Sequence, residues 1–172
     1  YTLDELKKLD AGSWFDPEFS DQKIPTLREV LELTAGTVSL NIEIKTEAVS
    51  NSISGEVEEK VLQLVEKHNM ENHVLLSSFD YRALIHFKEL SPDIPVALLY
   101  DRSQSSSLLP SQLVQKYNVD AFNCSYRQLR KKWIADLNKH QVPSFIYTVN
   151  SQRRMQKLIE AGVRGIFTDK PD

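Results

Sequence analysis

The chain has 172 residues, 41% of them hydrophobic and 26% charged, with 21 basic and 24 acidic side chains and a net charge of −3. This composition is typical of a soluble globular protein with one core, and acids that slightly outnumber scattered Lys and Arg argue against a nucleic-acid binder. Because no apolar run approaches the roughly 18 residues of a membrane span and no export signal is visible, we expect a cytoplasmic protein without an integral membrane segment.

The first 25 residues contain aromatic residues and prolines without a sustained period, which predicts an ordered loop. A helix is predicted to follow, up to about Leu33. Thr26 and Glu29 have the spacing of a capping box, in which each side chain bonds a backbone N–H of the first helical turn.

Six short apolar or β-branched runs come next, separated by segments with helical spacing. They lie at about 39–45, 74–79, 95–100, 120–124, 144–150 and 165–169. The clearest helix spans about 56–68, and its pattern places Glu58 on the face that points away from the core. Asp80 is predicted to cap the following helix, and Gly162 is predicted to end the last one.

Strictly alternating strands and helices predict right-handed crossovers and a mostly parallel sheet. No glycine-rich turn of a nucleotide-binding type follows any strand, so we favour a closed barrel over an open sheet. A TIM (β/α)8 barrel has eight units and typically about 250 residues, and about six units fit here. We therefore expect one α/β domain over 1–172, with 1–25 as an insertion-like ordered loop and 26–172 as barrel units.

The run 39–45 separates apolar and polar side chains most clearly. Since side chains alternate across a strand, the apolar residues at 40, 42 and 44 share one face, and Asn41, Glu43 and Lys45 share the other. In a barrel the polar face points inward, and Glu43 and Lys45 fall near the carboxyl end of the strand, where barrel active sites are built.

Two interpretations of this charged pair remain open. In one, the two groups pair with each other or with a neighbouring strand, because an isolated buried charge is costly. In the other, Glu43 binds a metal cation and Lys45 binds an anion such as a phosphate. A carboxylate ligand favours Mg²⁺ or Ca²⁺ over a soft metal.

Several motifs occur in a fixed order along the chain. They are LDAGSWF at 9–15, IPTL at 24–27, EIK at 43–45, SSF at 77–79, YTVN at 147–150 and GVRGIFTDKP at 162–171. Together they resemble the glycerophosphodiester phosphodiesterase family, in its bacterial form. The resemblance implies a TIM barrel of lipid and glycerol metabolism that hydrolyses glycerophosphodiesters to glycerol 3-phosphate and an alcohol, with a divalent cation.

By the same resemblance, Glu43 is a metal ligand for Mg²⁺ or Ca²⁺, and Lys45 contacts the substrate phosphate. Tyr147 stands where the family commonly has Trp and is expected either to wall the glycerol pocket or to pack as an aromatic residue of the barrel core. Asn150 matches the Asn of that motif, and Phe79 lies at the mouth of its strand, so both are candidate substrate contacts; a packing role is the alternative for Phe79. Tyr147 and Asn150 have opposite strand parity, so a regular strand cannot direct both inward.

The chain also departs from the family. The family's general acid and base are two histidines, in His-Arg-Gly and His-Asp motifs, and neither motif occurs here; its Glu-x-Asp metal-binding pair is absent too. We therefore predict no catalytic residue within these 172 residues, very low activity for them alone, and a preceding segment in a normal member. The four histidines, at 68, 73, 86 and 140, are expected on the outside or at the opposite barrel face.

Two alternatives to a phosphodiesterase are kept. One is a catalytically incomplete barrel fragment or phosphate-binding module that retains the phosphate-facing strand without the acid–base pair. The other is a different barrel hydrolase whose site does not involve Glu43. The predicted partner is a small glycerophosphodiester, and the sequence predicts no particular oligomeric state.

Overall fold

A computed structural model describes residues 1–171 and contains one parallel six-stranded sheet. The strands are β1 Leu40–Ile44, β2 Val74–Ser78, β3 Val96–Leu99, β4 Ala121–Ser125, β5 Ser144–Tyr147 and β6 Gly165–Ile166. Five of them lie within the runs predicted from the sequence, and β4 extends one residue beyond its predicted run, to Ser125. Asp172, the last residue of the predicted domain, lies outside the described residues.

Two helices precede the sheet, α1 Leu3–Leu6 and α2 Leu27–Thr34. The helices that connect successive strands are α3 Val57–Lys67, α4 Tyr81–Leu90, α5 Pro110–Tyr117, α6 Lys131–Lys139 and α7 Gln152–Glu160. Short 3₁₀ turns occur at Pro17–Phe19, Thr46–Ala48 and Glu71–His73. The predicted loop 1–25 thus includes one helical turn, α1, because Thr2 and Glu5 form a capping box that satisfies its first N–H groups.

Neighbouring strands follow chain order from β1 to β6, and every pair is parallel. A parallel pair needs a long crossover, and a helix supplies it between each successive pair of strands. Six consecutive units in this order form an arc of a TIM-type barrel, which confirms the predicted fold class.

The outer helices pack on the apolar face of the sheet. Ile44 is buried in this core, whereas Glu43 beside it reaches the other face. The local signals at the helix ends act as predicted: the Asp80 carboxylate accepts a hydrogen bond from the Arg82 backbone N–H at 3.0 Å, and Gly162 follows α7 with φ +92°. A Cβ at Gly162 would also come within 2.8 Å of the Asn138 side chain, so glycine is required there.

One buried polar pair differs from the prediction. Glu58 was expected to face solvent and His86 to lie at the surface, yet Glu58 has 0% exposure and His86 has 7%. His86 Nδ1 lies 3.0 Å from Glu58 Oε1, so the pair joins α3 to α4. The prediction failed because Glu58 faces the neighbouring helix, and the apolar periodicity of α3 marks only the side that faces the sheet.

Within residues 1–171, no helix is both long enough and apolar enough to cross a membrane.

The Glu58–His86 pair makes a stability prediction. His86→Leu leaves the Glu58 carboxyl buried without its partner, so we expect a loss of about 3 kcal/mol in the free energy of unfolding, measured in urea. The double substitution Glu58→Leu, His86→Leu is expected to recover much of that loss. His140→Leu is the matched control, because His140 is exposed. A double variant as unstable as the single one would contradict this role for the pair.

Cys124 makes a second prediction. Burial raises the pKa of its thiol to about 12, and the side chain is fully buried on the helix side of β4. Because the thiolate is the reactive form, we expect Ellman's reagent to label native protein negligibly at pH 8 and to label urea-unfolded protein fully. Rapid labelling of the native protein would contradict the buried placement.

Candidate active site

A cavity of about 270 Å³ opens at the carboxyl ends of the strands. Its walls are Asn41, Glu43, Lys45, Phe79, Leu99, Tyr147, Thr148 and Phe167. Except for Asn41, which lies near the start of β1, these side chains come from the carboxyl ends of β1, β2, β3, β5 and β6 or from the residues just after them. The arc therefore brings together groups that are more than 100 positions apart in sequence.

Glu43 and Lys45 supply the charge of this cavity. The Lys45 ammonium donates a hydrogen bond to Glu43 Oε1 at 2.7 Å. The Lys45 side chain is 72% exposed and the Glu43 side chain 29% exposed. Glu43 lies on β1 and Lys45 is the first residue after it, still in an extended conformation, so the two project to the same side as the alternation predicts. They pair with each other in this structure, and the exposed ammonium remains free to move toward an incoming anion.

Three aromatic rings form the apolar part of the wall. The rings of Phe79 and Tyr147 meet edge to face with centroids 6.3 Å apart, and Tyr147 meets Phe167 at 6.3 Å in the same manner. Burial raises the pKa of the Tyr147 phenol, and nearby Cys124 and Glu43 add to the effect. Tyr147 is therefore protonated at neutral pH, where it is a hydrogen-bond donor rather than a base.

Asn150 lies apart from the cavity walls. Its side-chain oxygen accepts hydrogen bonds from Thr168 Oγ1 at 3.0 Å and from the Asp169 backbone N–H at 2.9 Å. Its side-chain nitrogen donates to Asp169 Oδ2 at 2.8 Å. Tyr147, the last residue of β5, lines the cavity, whereas Asn150 lies beyond the end of the strand and ties the segment after β5 to the segment after β6.

Sequence reasoning missed four lining residues. Asn41 was placed on the polar face of β1 without a role, Thr148 and Phe167 occurred only within motifs, and Leu99 was not named. The available signal was position, because each of the last three ends or follows a parallel strand, and parallel strands bring their carboxyl ends to one edge. Which of them face inward depends on register, which the sequence does not give.

The barrel interior beneath the cavity contains further polar groups. Ser77 is the register partner of Glu43 on β2, and Asn123 is the register partner of Leu99 on β4. Both are fully buried, and the Ser77 hydroxyl and both Asn123 amide atoms lack hydrogen-bond partners within residues 1–171. The interior floor therefore retains hydrogen-bonding capacity next to the charged pair.

None of the four histidines lines the cavity. His73 precedes β2 and lies at the opposite end of the sheet, with β1 and β2 residues of that end. His68 bonds the Leu64 carbonyl at the end of α3, His86 is the buried partner of Glu58, and His140 follows α6. The described residues thus place no imidazole acid or base at this cavity.

A divalent cation has few ligands here. Glu43 is the one carboxylate among the lining residues, with the Asn41 side chain beside it, and residues 1–171 contain no cluster of three or more His, Cys, Asp or Glu able to hold a metal ion. Hard oxygen donors suit Mg²⁺ or Ca²⁺, and Mg²⁺ often keeps several waters and one or two carboxylates. Glu43 fits as one ligand of such an ion, but it cannot hold one alone.

Comparison with known proteins adds the family context. The model of the glycerophosphoryl diester phosphodiesterase family matches residues 1–172. The chain is 36% identical over 173 residues to the Bacillus subtilis protein YhdW. It is 34% identical over 173 residues to a glycerophosphodiester phosphodiesterase of Caldanaerobacter subterraneus. In both alignments all of this chain is covered, together with 69% of the relative.

A solved structure agrees with the fold. An Oleispira antarctica phosphodiesterase in complex with the product sn-glycerol-3-phosphate superimposes with a TM-score of 0.79 at 26% identity. The alignment covers 99% of this chain and 67% of that one. The chain thus spans about two thirds of the length of the proteins it matches.

The position of Asn150 yields a prediction. Asn150→Ala removes three hydrogen bonds between the segments after β5 and β6, so we expect the free energy of unfolding to fall by about 1 kcal/mol or more in urea. Affinity for glycerol 3-phosphate should be little changed. Asn72→Ala, at an exposed turn, is the control and should alter neither. Unchanged stability with weakened glycerol 3-phosphate binding would instead make Asn150 a substrate contact.

Proposed function

Because the chain belongs to the glycerophosphoryl diester phosphodiesterase family, we propose that the whole protein hydrolyses glycerophosphodiesters to glycerol 3-phosphate and an alcohol. The observation that carries the proposal is the Glu43–Lys45 pair, which lies in a cavity at the carboxyl end of the barrel strands. A phosphodiester carries one negative charge, and this pair offers both a cation for it and a ligand for a counter-ion.

Lys45 is the proposed phosphate contact. Its ammonium is largely exposed and bonded only to Glu43 among the ion pairs and side-chain hydrogen bonds of residues 1–171. With a cation at Glu43, the Lys45 ammonium would be available to the non-bridging phosphate oxygens. These oxygens gain negative charge as the phosphorus–oxygen bond to the incoming group forms, so the ammonium binds them more strongly in the transition state than in the ground state.

Glu43 is the proposed protein ligand for Mg²⁺ or Ca²⁺. Such an ion would stabilise negative charge on the phosphoryl oxygens. The Glu43 carboxylate lies in the cavity wall, where it would hold the ion close to those oxygens. The remaining ligands are expected from substrate oxygens, from water, and from residues in the part of the relatives' length that this chain does not cover.

The aromatic wall suits the carbon skeleton of the substrate. Tyr147, with Phe79 and Phe167 against its ring edges, offers apolar surface for a glycerol backbone and one phenolic donor for a hydroxyl. Tyr147 cannot abstract a proton at neutral pH because burial raises its pKa. Its proposed part is therefore to orient the glycerol.

We expect Lys45→Gln and Glu43→Gln in the whole protein each to lower kcat/KM for glycerophosphocholine by at least about 100-fold, since each removes a charge that stabilises the transition state. The measurement is enzymatic detection of released glycerol 3-phosphate. Lys60→Gln and Glu47→Gln are matched controls because both residues are exposed and lie outside the cavity. Wild-type turnover by Lys45→Gln would eliminate the proposed phosphate contact.

Metal removal tests the part assigned to Glu43. Chelation with EDTA is expected to abolish turnover, and Mg²⁺ or Ca²⁺ should restore it. Glu43→Gln should raise the metal concentration needed for half-maximal recovery by about tenfold or more, because it replaces an anionic ligand by a neutral one. Full activity in excess EDTA would rule out a requirement for a divalent cation. An unchanged metal requirement in Glu43→Gln would show that Glu43 is not a metal ligand.

The second candidate function is phosphate binding without hydrolysis. It is favoured by one observation, that no histidine among residues 1–171 lies at the cavity. The two candidates differ in one assay: a binding module retains glycerol 3-phosphate through Lys45 and releases no product. For the same reason the 172 residues alone are proposed to be nearly inactive, and turnover by them equal to that of the Caldanaerobacter relative would contradict this.

A further inference from the structure

A second cavity of about 410 Å³ lies between the segment after β3 and the start of α6. It has no lining residue in common with the Glu43–Lys45 cavity. Its floor is formed by the rings of Tyr100 and Trp133, which meet edge to face at 4.7 Å. Because both wall segments follow the carboxyl ends of strands, this cavity is at the same end of the barrel as the first one.

Three cationic side chains line this second cavity: Arg102, Arg130 and Lys132. No carboxylate is among its lining residues, and none of the three cations forms a salt bridge within residues 1–171. The neighbouring acid, Asp101, is already bonded by Ser103 and Gln104. The cavity therefore gathers positive charge that the described protein does not neutralise.

The start of α6 has an unusual charge pattern. A helix N-terminus favours anions, yet Lys131 and Lys132 occupy the first turn of α6 and no acidic residue is present there. The N-cap residue, Arg130, makes no side-chain capping hydrogen bond, and its guanidinium lies 5.5 Å from the Trp133 ring centroid. An anion bound at this point would satisfy the helix terminus and the basic side chains together.

The number of donors indicates the class of anion. Two guanidinium groups, an ammonium and the hydroxyls of Ser106 and Ser107 surround one space, which is more than the two oxygens of a carboxylate can accept. A phosphate monoester presents three charged oxygens, and guanidinium groups bind such oxygens in pairs. The volume leaves room for the esterified group.

We propose that the cavity lined by Arg102, Arg130 and Lys132 is a second anion site, which binds a phosphate monoester group. The bound group is either a free phosphate ester or the exposed headgroup of an anionic lipid, since both present the same oxygens. This site is independent of the proposed hydrolysis at Glu43 and Lys45.

Tryptophan fluorescence offers a direct readout in the whole protein. The chain has two tryptophans; Trp14 is 82% exposed, whereas Trp133 is 4% exposed and lines the cavity. In a Trp14→Phe background, titration with inorganic phosphate is expected to give a saturable change in emission, and this change should be absent when Trp133 is also replaced by Phe, which assigns it to Trp133. Co-sedimentation with vesicles of phosphatidylcholine, with and without phosphatidic acid, identifies the lipid source.

Matched variants decide the outcome. Arg102→Gln and Lys132→Gln should each weaken phosphate binding by about tenfold or more, because each removes a charge-assisted hydrogen bond. Lys139→Gln, at the far end of α6, and Lys45→Gln, in the first cavity, should bind as wild type. If the protein binds vesicles that contain phosphatidic acid, and this binding depends on Arg102, the bound group is a lipid headgroup. If the protein binds inorganic phosphate but not these vesicles, the bound group is a free phosphate ester.

The proposal is overturned if Trp133 emission does not saturate with phosphate and vesicles do not bind, or if Arg102→Gln and Lys132→Gln bind both as wild type. It is also overturned if Lys45→Gln alone abolishes the signal, because phosphate would then be bound in the first cavity. If the protein does not hydrolyse glycerophosphodiesters but Trp133 emission still responds to phosphate as expected, only the proposed hydrolysis is refuted and the second anion site is supported.

Discussion

The alternation of side chains along β1 controls the composition of the first cavity. A strand directs successive side chains to opposite faces, so Ile44 enters the core under the outer helices while Glu43 and Lys45 reach the interior. A slip of one residue would bury both charges against helices and expose the apolar residues. The same strand register therefore buries Ile44 and directs Glu43 and Lys45 inward, so packing of the core fixes the position of the site.

The outer helices contain a buried polar pair whose environment differs from that of Glu43 and Lys45. Glu58 and His86 are both buried between α3 and α4; His86 Nδ1 bonds Glu58 Oε1, while Glu58 Oε2 has no hydrogen-bond partner within residues 1–171. Such a pair contributes little net stability compared with apolar residues, but it is costly to break. At the cavity the reverse holds: Glu43 and Lys45 are partly exposed, so their pairing is weak enough to be exchanged for a ligand.

Barrel architecture brings two electrostatically different cavities to one end of the sheet. The first has a balanced pair beside an aromatic wall, which suits a substrate that carries both a charge and a carbon skeleton. The second has three cations beside two aromatic rings and the start of a helix. Strand ends and helix starts meet at this edge of every βα unit, so polar groups for binding collect there without disturbing the core.

The sequence by itself determined the parallel barrel, its six units, the capping of α2 and α4 and the inward placement of Glu43 and Lys45. These features follow from local periodicity and from residue types that act within one turn or one strand. Tertiary structure alone decided that Glu58 meets His86, that Phe167 and Leu99 line the first cavity, and that Arg102 and Lys132 line the second. Those contacts join segments far apart in the chain, and their geometry depends on strand register and helix packing, which no local pattern specifies.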